Sequence, residues 1–179
     1  MTMSMLAAGG VDLLTDGVRT ADDSNPNGYH EFEEVKELDT TRAASWLDDA
    51  RGKAVKIISH LLQALPQTLN YKVIFMRRAL HEVIASQNAM LQRRGEPSGD
   101  DDDGVRVAFE AHLAQVSRLM TTRSCFDFIE INYADVVADP LRGARRLNDF
   151  LGGWLDVERM VAAVDPRLYR NREVGEHYE

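Results

Sequence analysis

Residues 72–87, KVIFMRRALHEVIASQ, join an apolar segment directly to a segment with helical periodicity. Residues 72–76 are almost wholly apolar, which is typical of a central strand in a parallel sheet. A helix is predicted from Ala79 to Arg94, because apolar side chains recur there at helical spacing. The members of its apolar face are Leu80, Val83, Ile84, Gln87 and Leu91. Residues 72–94 therefore predict a strand that runs into a helix, with Arg77 and Arg78 at the junction.

Further strands and helices alternate on both sides of this unit. The pattern predicts strands at residues 11–14, 54–58 and 126–131, and helices at 2–8, 32–38, 41–47, 105–122, 140–151 and 157–164. Gly9-Gly10 is expected to end the first helix in a left-handed conformation. Asp139-Pro140 supplies a cap and a first-turn proline, and Gly152-Gly153 ends that helix. The alternation predicts an α/β fold, a parallel β-sheet flanked by helices in three layers.

Ligands of such sheets bind beyond the carboxyl ends of the strands. That rule selects Ser59-His60 and Arg77-Arg78, which we expect at one edge of the sheet. A guanidinium beside the free amides of a helix N-terminus suits a phosphate group. Ser86 lies about 12 Å further along the helix, so Arg78 and Ser86 together would suit an extended anionic ligand. The alternative is a surface arginine pair and a solvated serine.

Histidines and tryptophans offer further candidates. His60 directly follows a predicted strand, where it could act as a general base on a substrate hydroxyl. The alternative is a structural histidine that supports the strand end. His112 lies on an apolar helix face and is expected to be a packing residue, while Trp46 and Trp154 are expected to anchor the core.

Composition excludes several classes of protein. The 179 residues are 44% hydrophobic and 28% charged, with a net charge of −8, so neither nucleic acid nor an anionic membrane surface is an expected partner. Cys125 is the one cysteine, and no Cys/His cluster has zinc-site spacing. No apolar run approaches the ~18 residues of a membrane span. We expect one cytoplasmic domain, residues 1–179.

Several segments resemble sulfotransferases that use 3′-phosphoadenosine 5′-phosphosulfate (PAPS), and most of all a bacterial branch of that family. KVIFMRRALHEVIASQ is similar to the family's strand–helix segment that binds the 3′-phosphate, which implies that role for Arg78 and Ser86. VKIISHLLQALP resembles the strand that carries the catalytic base, and His60 stands at the base's position. Lys56 is four residues before His60 rather than two, so the resemblance assigns it no role. Two further family segments, a strand with the turn after it and a helix that begins with Asp-Pro and ends in Phe-Leu-Gly, are similar to FIEINYADVVADPLRGARRLNDFLG.

The resemblance implies a P-loop NTPase-like fold that is N-terminally truncated. The family opens with a strand and a Gly/Ser/Thr-containing loop that cradles the 5′-phosphosulfate. That loop would lie immediately before Met3 to Leu6, and no such motif stands there. Arg170 and Arg172 stand where the family closes a basic loop over the nucleotide.

The first hypothesis for the function is therefore sulfuryl transfer from PAPS to a hydroxyl or amine, with no metal required. The acceptor is expected to be a small molecule or a glycan, and both a monomer and a homodimer stay open. A second hypothesis is a non-catalytic remnant that binds a nucleotide or a protein. A nucleotide kinase or hydrolase is disfavoured, because GxxxxGK[ST] is absent.

Overall fold

The computed structural model describes residues 1–21, 28–39, 45–93, 95 and 102–168. None of the helices in these ranges is both long and apolar enough to cross a membrane. The elements, in chain order, are α1 (Thr2–Ala8), a 3₁₀ helix (Glu33–Glu37), α2 (Ser45–Asp49), a 3₁₀ helix (Ser59–Ala64), β1 (Tyr71–Arg77), α3 (Leu80–Arg93), α4 (Asp102–Thr122), β2 (Phe126–Asn132), α5 (Tyr133–Ala138), α6 (Pro140–Leu151), α7 (Val157–Ala162) and a 3₁₀ helix (Pro166–Leu168).

A two-stranded parallel sheet lies at the centre of the described structure. β1 pairs with β2 in a register that runs from Tyr71 opposite Phe126 to Arg77 opposite Asn132. Two parallel neighbours need a crossover connection, and α3 and α4 supply it. The α/β class and the strands predicted at 72–76 and 126–131 are therefore confirmed.

Each face of this sheet packs against its own apolar cluster, because successive side chains of a strand point to opposite faces. Val73 and Phe75 pack on a cluster with Trp46 and Met120, to which α2, α4 and the helix Ser59–Ala64 contribute. Ile74 and Met76 pack on the second cluster, which is built from α1, α6 and α7. Its fully buried side chains include Met5, Ile131, Leu147 and Met160.

The ends of α6 follow the predicted capping pattern. The Arg142 N–H donates to Asp139 Oδ1 at 3.0 Å, and Pro140 occupies the first turn. Gly152 adopts a φ of 104°, a left-handed conformation that costs glycine little. The predicted helix 140–151 is confirmed, as are its predicted start at Asp139-Pro140 and its end at Gly152.

Residues 54–58 do not form the predicted strand. Only Ala54 bridges another segment, at Leu13, and this bridge is also all that forms of the strand predicted at 11–14. Ile58 is extended (φ −72°, ψ 139°), so the backbone has strand geometry without a neighbour to pair with. Ser59-His60 therefore does not end a strand of the β1–β2 sheet, and that expectation was wrong.

Smaller differences concern element types and ends. Glu33–Glu37 is a 3₁₀ helix, a form that suits so short a segment. Residues 41–44 of the predicted helix 41–47 lie outside the described residues. At the end of α1, Gly10 (φ 101°) rather than Gly9 (φ −74°) is left-handed. Trp154 is 60% exposed and was wrongly assigned to the core, because its indole N–H caps Leu151 C=O at the end of α6.

Hydrogen exchange should reveal which edge of β1 is paired. The Tyr71 N–H donates to Cys125 C=O on the β2 side, so by alternation Val73 and Phe75 also face β2. The N–H groups of Ile74 and Met76 face the other edge. We expect these two amides to exchange about tenfold or more faster than those of Val73 and Phe75, as measured by NMR. Equal protection along β1 would contradict this pairing.

Candidate functional site

A cavity of about 840 Å³ lies beside the edge of β1 that has no strand partner among the described residues. Residues 53–57 form one wall and β1 forms the other, and the first residues of α1 border the same space. Arg77 and Arg78 lie at the carboxyl ends of the strands, and Tyr133 joins them from the start of α5. The cavity runs along the whole length of β1, from Leu69 to Arg78, and so includes the carboxyl strand end at which parallel sheets bind ligands.

The charged side chains that line this cavity are all basic, and five of the six pair with carboxylates that lie outside the lining. No aspartate or glutamate is among the described residues that line it, although the chain as a whole carries a net charge of −8. The basic residues of the lining are Arg51, Lys53, Lys56, Lys72, Arg77 and Arg78. A cationic cleft in an acidic protein concentrates anions and repels cations. The cavity is therefore suited to an anionic ligand.

Arg78 has the most constrained surroundings among these cations. Its Nε donates to Glu82 Oε2 at 3.2 Å, and its guanidinium lies 4.9 Å from the centre of the Tyr133 ring. Glu82 is only 5% exposed, so the ion pair is partly desolvated. Arg78 also borders a second cavity, of about 650 Å³, with Glu130 and Asn132. The Arg78 side chain is thus held by a hydrogen bond from its Nε to Glu82 and by the Tyr133 ring against its guanidinium.

The other predicted nucleotide contacts are less well placed. Ser86 is half-buried two turns into α3, and it lines neither of the two cavities. Ser86 lies on α3, whereas Arg78 precedes the first residue of that helix by two positions. Arg170 and Arg172 lie outside the described residues. Arg78 is therefore the predicted contact that the structure brings to the main cavity.

The structure places His60 in the first turn of the 3₁₀ helix Ser59–Ala64, where its side chain is exposed. The preceding residue, Ser59, lines the cavity, whereas His60 does not. Ser59 Oγ lies 2.8 Å from His112 Nε2, and the rings of His60 and His112 are 5.9 Å apart. His112 is half-buried, hydrogen-bonded to Ser59 and in contact with the rings of His60 and Phe109, so the expectation of a packing residue is confirmed.

Sequence reasoning missed a charged cluster at the other wall. Lys56 Nζ donates to Glu31 Oε1 at 2.9 Å, and Arg19 contacts the same carboxylate at 3.3 Å and stacks on the Tyr29 ring. Burial alone would raise the pKa of Glu31, but Lys56 and Arg19 outweigh it and hold the pKa below its usual range. Lys56 and Arg19 are 25 and 12 positions from Glu31, so no local sequence pattern predicts that they contact it.

His30 should make stability depend on pH. Burial, reinforced by the N-terminal ammonium and Lys56, lowers the pKa of His30 below its ordinary value of about 6.5. As the pH is lowered, His30 takes up a proton in the unfolded chain at a higher pH than in the folded one. The stability that neutral His30 contributes is therefore fully present above the unfolded pKa and is lost as the pH falls through it. We expect His30→Asn to weaken the loss of thermal stability between pH 7 and 5.

His30→Asn is a suitable variant because His30 has a φ of 49°, a conformation that asparagine tolerates. Melting temperatures at several pH values for the wild type, His30→Asn and the control His81→Asn would measure the effect. An unchanged slope in His30→Asn would mean that this histidine does not carry it.

The described residues contain no group of three or more His, Cys, Asp or Glu side chains that could hold a metal ion. Comparison with known proteins identifies one family. A model of the sulfotransferase family matches residues 26–156, well over half of the chain, and this range includes His60, Arg78 and Ser86. The comparisons with curated proteins and with solved structures gave no match.

Proposed function

Because the chain belongs to the sulfotransferase family, we propose that its cavity binds PAPS and that the protein transfers the sulfuryl group to a hydroxyl or amine. The observation that supports this best is the lining of the 840 Å³ cavity, which carries six Lys/Arg side chains and no described acidic one. PAPS carries its negative charge at a 3′-phosphate and a 5′-phosphosulfate. The basic lining and the volume both fit such a ligand.

We assign the roles by position. Arg78 donates to the 3′-phosphate from the end of β1, and Ser86, Arg170 and Arg172 are the further contacts that the family resemblance implies. The bound donor supplies the sulfur–oxygen bond that breaks. His60, an exposed side chain next to the cavity-lining Ser59, takes the proton of the acceptor. The acceptor is a small molecule or a glycan.

The finer fold assignment is part of the same proposal. A P-loop NTPase-like sheet flanked by helices in three layers agrees with apolar clusters on both faces of β1 and β2. A phosphosulfate loop ahead of Met3 would reach the cavity, since Met1, Thr2 and Met3 border it. Residues 1–179 then belong to one domain of this type.

Binding of adenosine 3′,5′-bisphosphate tests the nucleotide site without requiring turnover. We expect Arg78→Ala to weaken binding by roughly tenfold or more in calorimetry, since a hydrogen bond to a charged group contributes about 1.5–3 kcal/mol. Arg78→Lys keeps the charge but not the guanidinium's fork of donors. Its affinity for the bisphosphate should lie between those of the wild type and Arg78→Ala.

Arg106→Ala is the matched control. Arg106 pairs with Glu110 four residues later, as Arg78 does with Glu82, but it does not line the cavity. Affinity should be unchanged in this variant. Equal affinities in Arg78→Ala and the wild type, with both proteins folded, would refute the assignment.

A binding protein without transfer activity is the second candidate. The specific observation in its favour is that Ser59, and not His60, lines the cavity. A chain that binds the bisphosphate with its Arg78 dependence intact, but transfers no sulfuryl group, would establish this alternative.

A further inference from the structure

Ser59 is the hydroxyl residue of the 3₁₀ helix Ser59–Ala64 that faces the main cavity. Its Oγ is 2.8 Å from His112 Nε2, a distance at which the hydroxyl can donate to the ring nitrogen. Both side chains are half-buried. A serine that faces a cavity and hydrogen-bonds to a histidine behind it is the arrangement of a nucleophile and its base.

The surroundings restrict how the His112 ring can turn. Its ring centre is 5.9 Å from that of His60 and 6.4 Å from that of Phe109, which meets it edge-to-face. Phe109 also lines the cavity. The imidazole thus contacts two other rings, and its Nε2 is directed at Ser59 Oγ.

A second contact ties the two elements together. The guanidinium of Arg123, just beyond α4, donates to the carbonyls of Gln63 and Leu65 at 2.8 and 3.2 Å. The helix that carries Ser59 is thereby tied to the C-terminal end of the helix that carries His112. These contacts hold the 3₁₀ helix against α4, so the two elements that carry Ser59 and His112 lie side by side.

We propose that Ser59 is a nucleophile of the cavity, activated by His112, and that it attacks tetrahedral sulfur(VI) centres. The preference for sulfur rests on the proposed function, because the basic lining would hold an anionic sulfuryl donor. The activation of Ser59 rests only on its contact with His112. An isolated serine is a weak nucleophile, and an adjacent base that takes its proton removes that limitation.

A sulfonyl fluoride provides the test reaction. With phenylmethanesulfonyl fluoride, a bond forms between Ser59 Oγ and sulfur while the sulfur–fluorine bond breaks. Fluoride leaves with the bonding electron pair, and the hydroxyl proton passes to His112 Nε2. The product is a sulfonate ester of Ser59. No oxidant or further reactant is needed, and no sulfuryl donor or nucleotide is involved.

The full chain would be treated with the reagent, and the modified residue would be located and timed by mass spectrometry of its peptides. We expect labelling at Ser59 and none there in Ser59→Ala. His112→Asn, which can still hydrogen-bond to Ser59 but cannot serve as the base, should slow labelling by about 10²-fold or more. His81→Asn should leave it unchanged, and thermal unfolding would show that each variant is folded.

Ser4 is an internal comparison, because its Oγ lies 3.3 Å from His30 Nε2, a longer contact. Labelling at Ser59 well above that at Ser4 supports the proposal. It is overturned if Ser59 reacts no faster than Ser4, or if labelling depends on His60 and not on His112. Labelled Ser59 in a chain that does not bind adenosine 3′,5′-bisphosphate would refute the proposed function while leaving the nucleophile in place.

Discussion

In any form of the protein that transfers sulfuryl groups from PAPS, asparagine in place of His60 is expected to lower kcat by about 10²–10⁴, the range that general-base catalysis contributes. Asparagine preserves much of the size and hydrogen bonding of histidine but cannot take up the acceptor's proton. The measurement is the release of adenosine 3′,5′-bisphosphate from PAPS in the presence of a phenol acceptor. Nucleotide binding should be unchanged, because His60 is exposed and does not line the cavity.

His81→Asn is the control for this variant, since His81 is an exposed histidine on α3 that lies outside the lining of the main cavity. Its kcat should match that of the wild type. Wild-type turnover in a folded His60→Asn protein would show that His60 is structural. The base would then have to be another group.

Truncation of Leu147 to alanine should lower the free energy of unfolding by about 2–5 kcal/mol. Leu147 on α6 has no exposed surface, and it packs in the cluster that joins α1, α6 and α7 to the sheet. The lost methyl groups leave a cavity that close-packed neighbours such as Met5 and Met160 fill only in part. Chemical denaturation with urea would measure the difference.

Leu141→Ala is the matched control, on the same helix and with the same change in side chain. Leu141 is 43% exposed, so the free energy of unfolding should change by about 0.5 kcal/mol or less. Similar losses in the two variants would mean that α6 does not pack on the sheet through Leu147.

Local sequence signals correctly predicted two kinds of element. These are the buried strands and a helix whose ends are capped by neighbouring residues. β1 and β2 were predictable because both faces of each strand meet apolar clusters, which produces a nearly continuous apolar run. The limits of α6 followed from Asp139 and Gly152, whose capping depends on a few neighbouring residues. The prediction of a strand at residues 54–58 was wrong because a strand also needs a neighbouring strand edge to pair with. The sequence of the segment itself does not indicate whether such an edge is present.

In the candidate site, too, local sequence predicted some positions and missed contacts between distant residues. Arg78 was predictable, since a junction between a strand and a helix fixes its position at the sheet edge. The hydrogen bond between Ser59 and His112 joins residues 53 positions apart, and an apolar helix face gave no indication of it. Trp154 was misassigned because a large aromatic side chain suggests a core residue, whereas its N–H here caps a helix end.

The unpaired edge of β1 has a consequence for the behaviour of the protein in concentrated solution. Backbone donors and acceptors of Ile74 and Met76 point away from β2, within a segment rich in β-branched and aromatic residues. A free strand edge of this kind is a template on which a foreign chain can add hydrogen bonds, and natural proteins protect such edges with charges, bulges or covering segments. Lys72 and Arg77 stand at its two ends and provide the charges. We therefore expect Lys72 and Arg77, which pair with Asp127 and Glu130 of β2, to oppose the addition of a foreign strand at the two ends of this edge.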